Sequence, residues 1–287
     1  DPLSGLLPTL DLADPGARTN EDIFTGPSQW MPHGRVFGGQ VLAQSLVAAQ
    51  RTIDVGRTVH SLHGYFLRPG RIDASITFSV DRIHDGRSFS TRRTQAYQDG
   101  QPILSMIASF QDHDEGLEHQ LDMPPDIPDP DSLPTAAELL GDIDHPVARA
   151  WAYERPFDLR HVPSPIYLSV EGEHVAHQAV WFKTKGPMPD DENVHRAALV
   201  YASDFSIQEA VLRRHGLPWV TPGLKIASLD HAMWFHRFGR VDEWLLYVQE
   251  SPSAIGGRGL GLGRIYSRDG ALLANVTQEI TVRVPKS

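Results

Sequence analysis

Ser61-Leu62-His63-Gly64-Tyr65-Phe66-Leu67-Arg68-Pro69-Gly70-Arg71-Ile72-Asp73 returns, altered but in order, as the stretch from Ser228-Leu229-Asp230-His231 to Gly239-Arg240-Val241-Asp242. The Ser-Leu pairs lie 228 − 61 = 167 residues apart, the Gly-Arg pairs 239 − 70 = 169, and Asp99-Gly100 and Asp269-Gly270 269 − 99 = 170. A register that drifts so little marks a duplicated unit, and the interval is too long for a solenoid repeat. The two copies can therefore be compared within one molecule. Where both agree, the residue builds the fold; where only one carries a polar group, chemistry is the better explanation.

Each copy places one apolar helix ahead of several strands. The first helix is read over Gly38–Gln50, with Val41, Leu42, Ser45, Leu46 and Ala49 at helical spacing. Strands follow over 61–67, 72–83, 88–97 and 102–111, with Asp99-Gly100 as a hairpin turn. In the second copy Val200, Ile207 and Val211 predict a single helix over 196–214, stopped by His215-Gly216. Its strands are read over 225–235, 243–251, 258–266 and 271–284. A long helix followed by an antiparallel sheet, used twice, predicts an α+β chain of two units joined edge to edge into one pseudo-symmetric body.

Between the copies, Met123-Pro124-Pro125-Asp126-Ile127-Pro128-Asp129-Pro130-Asp131 offers fixed φ angles, few amide donors and acidic side chains, so it reads as a linker. The expected division is a first unit over residues 1–118, an acidic proline-rich linker over 119–145 and a second unit over 146–287.

With 287 residues, 40% hydrophobic and 22% charged, the chain can bury a full core. It has no Cys, which excludes disulfides, thiol catalysis and Cys-based metal sites. Asp1-Pro2-Leu3-Ser4 does not read as a signal peptide, and no apolar run reaches the roughly 20 residues that span a bilayer. A cytoplasmic protein is expected. The net charge of −10 argues against nucleic acid and anionic membranes as partners. No metal site is expected either: His231 and His236 are five apart on a strand and point to opposite faces. The glycine-rich run over 256–263 leads into a strand rather than a helix, which speaks against a phosphate loop.

The copies differ in their polar groups. On the last strand Leu272, Ala274, Val276, Ile280, Val282 and Val284 share one face, with Gln278 in its middle. Shifted back by 170, Gln278 becomes Ala108. Asp204 falls on the apolar stripe of the second helix, whereas the first helix holds no Asp or Glu. A carboxylate or amide on a buried face needs specific partners. Ser228 is matched by Ser61 and is not diagnostic by itself. From the residues alone, Asp204 and Gln278 read equally as a buried structural pair or as a site.

Arg35-Val36-Phe37-Gly38-Gly39-Gln40, the run from His60 to Gly70, Asp85-Gly86-Arg87-Ser88-Phe89-Ser90-Thr91-Arg92-Arg93, Tyr201-Ala202-Ser203-Asp204 and Leu229–Arg237 together closely resemble the type II acyl-CoA thioesterases, the TesB family. The resemblance spans nearly the whole chain outside the acidic linker and implies a double hotdog fold. It places the catalytic set on Asp204, Ser228 and Gln278, with Ser where Thr is commoner in the family. An acyl-CoA substrate follows, with coenzyme A as part of the substrate and no separate cofactor. A homo-oligomer is expected from the resemblance and from the sheet edges of two joined units.

Thioester hydrolysis needs a water aimed at the carbonyl carbon, a base, and donors for the oxyanion. Asp204 would be the base, while Ser228 and Gln278 hold the water. Backbone amides at Gly38, Gly39 and Gln40, which open the facing helix, are candidate oxyanion donors. His63 is a candidate substrate contact, and Arg87, Arg92 and Arg93 are candidates for the coenzyme A phosphates. Two alternatives stay in view. One is a CoA- or acyl-CoA-binding sensor without turnover, which a lysine neutralising Asp204 would favour. The other is a serine hydrolase pairing Ser228 with His231, discouraged because residues three apart on a strand face opposite ways and no G-x-S-x-G elbow exists.

Overall fold

The computed structural model describes residues 5–14, 16 and 21–284, so the start at Asp1-Pro2-Leu3-Ser4 lies outside the described residues. The first half runs through α1 (Leu6–Leu10), β1 (Asp22–Gly26), α2 (Gly38–Gln50), β2 (Thr58–Phe66), β3 (Ile76–Asp85), β4 (Phe89–Gln98) and β5 (Gln101–Gln111). After two short helices, α3 (Ala136–Leu140) and α4 (Pro146–Arg149), the second half adds β6 (Phe157–Val162), β7 (His177–Thr184), α5 (Glu192–Ser203), α6 (Glu209–Arg214) and β8 (Lys225–Ser228). The chain ends through β9 (Asp230–Phe235), β10 (Leu245–Ile255), β11 (Arg258–Ser267) and β12 (Leu272–Arg283).

The strands form one sheet in the order β1-β3-β4-β5-β2-β9-β12-β11-β10-β7-β6, with β8 also paired to β12. The two halves are thus hydrogen-bonded to each other through β2 and β9, in a register that sets Leu62 against Met233 and Gly64 against His231. Within it α2 is buried at ten of its positions, as a helix enclosed on all sides must be. Its apolar side chains and those of α5 belong to one continuous core shared by both halves, which is the double hotdog arrangement.

Two differences from the sequence-based expectation matter for the site. The second helix is not continuous over 196–214. It ends at Ser203, Asp204 takes the C-cap position, and α6 restarts at Glu209. The reason lies beneath it, on β11. A Cβ on Gly261 would come 2.8 Å from the carbonyl oxygen of Ile207 and one on Gly259 would come 2.7 Å from Val211. The glycine-rich run is therefore a bare strip that lets the interrupted helix lie directly on the sheet.

The strand expected over 225–235 is also broken. Between the pairs Ser228↔Ile280 and Ala232↔Thr277, residues 229–231 on one strand face only 278–279 on the other, one extra residue and hence a β-bulge. The Asp230 carboxylate accepts the Glu279 amide at 2.7 Å, so the disturbed ladder leaves that donor satisfied. In the first copy the extra residue is His60, before Ser61 rather than after it.

The acidic segment is not a free tether. Met123, Ile127 and Leu133 pack on Trp181, Trp244, Leu246 and Tyr266, which form the face of the second half's sheet turned away from its helices. The Trp181 indole donates to the Pro128 carbonyl at 2.9 Å, and Arg268 pairs with Asp129 at 2.5 Å. Prolines that cannot join a ladder suit a strap laid across a finished sheet. Among the described residues, no helix is long and apolar enough to cross a membrane.

Candidate active site

Asp204 stands where the C-terminus of α5 meets the N-terminus of α2. The Phe37 side chain makes no cap for α2. Instead, Asp204 Oδ2 accepts from the Gly39 amide at 2.9 Å, so a carboxylate from one half caps the helix of the other. That position is favourable for a negative charge at the start of α2 and unfavourable at the end of α5. Burial is the larger influence: Asp204 is 5% exposed, and desolvation pushes its carboxyl above the usual carboxylate range. His231, Gln278, Ser228 and the Gly39 amide pull the other way without cancelling it.

The other oxygen, Oδ1, takes the Gln278 amide nitrogen at 2.8 Å and the Ser228 hydroxyl at 3.2 Å, and Gln278 Nε2 donates to Ser228 Oγ at 2.9 Å. Carboxylate, hydroxyl and amide thus close a three-membered ring of hydrogen bonds. Asp204 and Gln278 are buried and Ser228 is half-buried, so water reaches the set from the serine side. None of these Asp204 partners is a lysine. Because of the bulge, Ser228 and His231 both meet Gln278 although three residues separate them, which overturns the expectation that they face opposite ways. The Ser228 hydroxyl nonetheless bonds to Asp204 and Gln278, and no Ser228–His231 bond forms among the described residues. Ser61 shares its strand with fully buried Leu62 and so points to the opposite sheet face. The repeated serine is used inward only once.

Several expected contacts need correction. The Gly39 amide is taken by Asp204, and the Gln40 amide donates to Phe37 at 3.1 Å, so neither is a free oxyanion donor. Gly38 keeps its place at the helix start, and its amide has no partner among the described residues. The Gln40 side chain is buried, bonding to Pro27, Gln44 and Gln29. His63 is exposed on the outer sheet face, edge-on to Trp234 at 5.0 Å. Arg92 cannot clamp a phosphate: it is 1% exposed and holds Thr52, the His84 carbonyl and Asp85. Arg87 is exposed at the β3–β4 turn, and Arg93, also exposed, pairs with Asp81 at 3.0 Å. Thr52 follows the far end of α2, so Arg92 and its hairpin lie roughly 18 Å of helix away from Asp204.

Sequence reasoning passed over the aromatic pair that braces the site. Phe37, just before Gly38, stacks on Phe205, just after Asp204, with centroids 4.8 Å apart and planes at 14°. Tyr201 meets both rings edge-on. Such contacts are worth about 0.5–1.5 kcal/mol each beyond area burial, and here they clamp the two segments that present the site. Their signal in the sequence was adjacency to the candidate residues.

Family models match both halves: "Acyl-CoA thioesterase N-terminal domain" over residues 26–111 and "Acyl-CoA thioesterase" over residues 152–281. Acyl-CoA thioesterase 2 of Haemophilus influenzae is 36% identical over 99% of this chain and 98% of its own. The crystal structure of acyl-CoA thioesterase II TesB2 from Mycobacterium marinum superposes with a TM-score of 0.77 at 42% identity, covering 97% of this chain and 98% of the other. A hot dog fold protein from Alicyclobacillus acidocaldarius reaches 0.79 at 21% identity, covering 97% and 98%, a likeness of fold alone.

Proposed function

The chain belongs to the acyl-CoA thioesterase II family and hydrolyses acyl-CoA thioesters, and from that premise we propose that Asp204, Ser228 and Gln278 carry the reaction. The observation that carries the proposal is the Asp204 carboxylate, buried, with its carboxyl above the usual range, bonded to a half-exposed hydroxyl. A base raised toward neutrality is better matched to taking a proton from water. The Ser228–Asp204 bond is the longest of the ring at 3.2 Å and the one a water can replace. Water would then be held by Ser228, lose its proton to Asp204 and attack the thioester carbon directly, without an acyl-enzyme; as the tetrahedral adduct collapses the C–S bond breaks, and the coenzyme A thiolate leaves with the proton that Asp204 took, which restores the carboxylate. The free Gly38 amide is our candidate donor to the oxyanion. We also propose a cytoplasmic homo-oligomer: exposed Tyr65 and Ile107 on the first half's outer sheet face, with Trp234 beside them across the seam, lie outside the strap that covers Trp181, Trp244, Leu246 and Tyr266.

Release of free thiol from acyl-CoA tests this. Ser228→Thr keeps the hydroxyl and should retain kcat within a few-fold. Ser228→Ala loses one hydrogen bond to the water and should lower kcat about 10-fold without abolishing it. An acylated Ser228 found by mass spectrometry would replace this scheme with a nucleophilic one.

The pH profile offers a second test. Activity needs ionised Asp204, so kcat/KM should fall on acidification, with an acid limb above the usual carboxylate range near 3.9. Stability has the opposite sign. A folded carboxyl held above its unfolded value contributes stability below the unfolded value, and that contribution is lost as pH rises through the folded one. An acid limb at or below pH 4 would remove Asp204 from the base role.

A further inference from the structure

His231 is fully buried, and the scheme above gives it no part. Its Nδ1 is hydrogen-bonded to the Gln278 amide oxygen, and its Nε2 meets Ser203 Oγ at 2.9 Å. A glutamine amide fills nearly the same space in either of two orientations related by a half-turn. Only one suits the ring of hydrogen bonds described above. With Nε2 toward Asp204 and Ser228, the amide gives both N–H groups to oxygen acceptors. Turned over, it would set its oxygen 2.8 Å from a carboxylate oxygen, acceptor against acceptor, in a buried place. Something must hold the correct face, and the atom on the other side of the amide belongs to His231.

We propose that His231 is a positioning residue for thioester hydrolysis, fixing the Gln278 amide by donating from Nδ1 to its oxygen. This rests on the role given to Gln278 above. Burial holds the imidazole below its usual pKa and so favours a single ring proton. That proton belongs on Nδ1, because an amide oxygen only accepts, whereas the Ser203 hydroxyl that faces Nε2 can turn its one proton from the Val200 carbonyl, also 2.9 Å away, to the ring nitrogen. Ser203 ends α5 and Asp204 follows it, so the path from Ser203 through His231 and Gln278 returns to the adjacent residue. The bulge after Ser228 is what turns His231 inward.

The duplication supplies an independent observation. By the pairing of the strands, where Ala274 faces Phe235 as Leu104 faces Phe66, Gln278 and His231 correspond to Ala108 (278 − 170) and Leu62 (231 − 169), which face each other in the first copy. The copy that lacks the amide lacks the imidazole too. A histidine needed only for packing at the seam would have no reason to be paired with the glutamine in this way.

Steady-state hydrolysis of an acyl-CoA by His231→Asn and His231→Leu, each alone and on Gln278→Ala, tests the proposal. Asn places an N–H donor near the Nδ1 position and should keep kcat within about 3-fold, while Leu should lower kcat about 10- to 100-fold with KM changed less than about 2-fold. On Gln278→Ala the two substitutions should be indistinguishable. Wild-type kcat in His231→Leu, or equal losses in Asn and Leu, would overturn the proposal. Should the Leu variant fail to fold, ring 15N shifts of His231 in the wild-type protein decide it: a proton on Nδ1 is expected, and one on Nε2 alone would overturn it. Wild-type kcat in Gln278→Ala would instead sink the catalytic reading of Gln278, a separate failure.

Discussion

Asp204→Asn is expected to lower kcat by at least about 10² while the protein remains folded. The substitution keeps the shape of the side chain and removes its charge and basicity. Three donors converge on the carboxylate: Gly39 N–H on one oxygen, Gln278 and Ser228 on the other. An asparagine can turn its single oxygen to only one of these sides, so the other side sets N–H against a donor, at a cost of about 1–3 kcal/mol. In compensation the buried charge disappears, and with it the desolvation that raises the carboxyl. The two effects oppose, and in a chain of this length about 1 kcal/mol corresponds to roughly 2–4 °C, so Tm should move by only a few degrees. Catalysis has no such compensation, since nothing else in the ring can accept a proton from water. A folded variant that keeps more than about a tenth of wild-type kcat would show that Asp204 is not the base.

The duplication was legible because each copy repeats turn and strand residues at nearly constant spacing, and those residues follow from backbone geometry common to both halves. Gln278 was legible for the opposite reason, an amide on an apolar face where its counterpart is Ala108. Asp204 was found through a helical stripe that does not exist as one helix, because Val200, Ile207 and Val211 keep helical spacing across a break. The interrupted segment lies against glycines 48 and 54 residues later in the chain (Val211 on Gly259, Ile207 on Gly261), a contact that periodicity cannot register. The bulge between Ser228 and Ala232 was hidden in the same way. It inverts the alternation by one residue, and only the partner strand shows where the extra residue sits. Arg92 misled because an arginine on a strand reads as exposed by default, while here Thr52 and Asp85 surround it. The oxyanion expectation failed in part for a related reason: the amides that open α2 were counted as free, but the Gly39 amide is taken by the Asp204 carboxylate.

The same closeness of Asp204 to the start of α2 makes the glycine before Gly39 a sensitive point in the site's surroundings. A Cβ on Gly38 would lie 2.6 Å from Asp204 Oδ2 and 3.1 Å from the Phe66 ring, where ordinary contact begins at 3.4 Å. The carboxylate would have to retreat by roughly 0.8 Å, and displacements near 1 Å in a reacting group can cost about 10² in rate. Gly38→Ala should therefore lower kcat about 10- to 100-fold. Its fold should hold, because the atoms in the way belong to side chains and alanine is the better helix former. Gly39→Ala is the contrasting variant. There the added methyl meets the backbone carbonyl of Tyr201, which cannot yield without moving α5, so Tm and kcat should fall together. Thermal unfolding and thiol-release kinetics on the two variants separate the cases. If Gly38→Ala turned over acyl-CoA at the wild-type rate, the carboxylate would not need the position it holds against the start of α2, and base catalysis from that position would have to be abandoned.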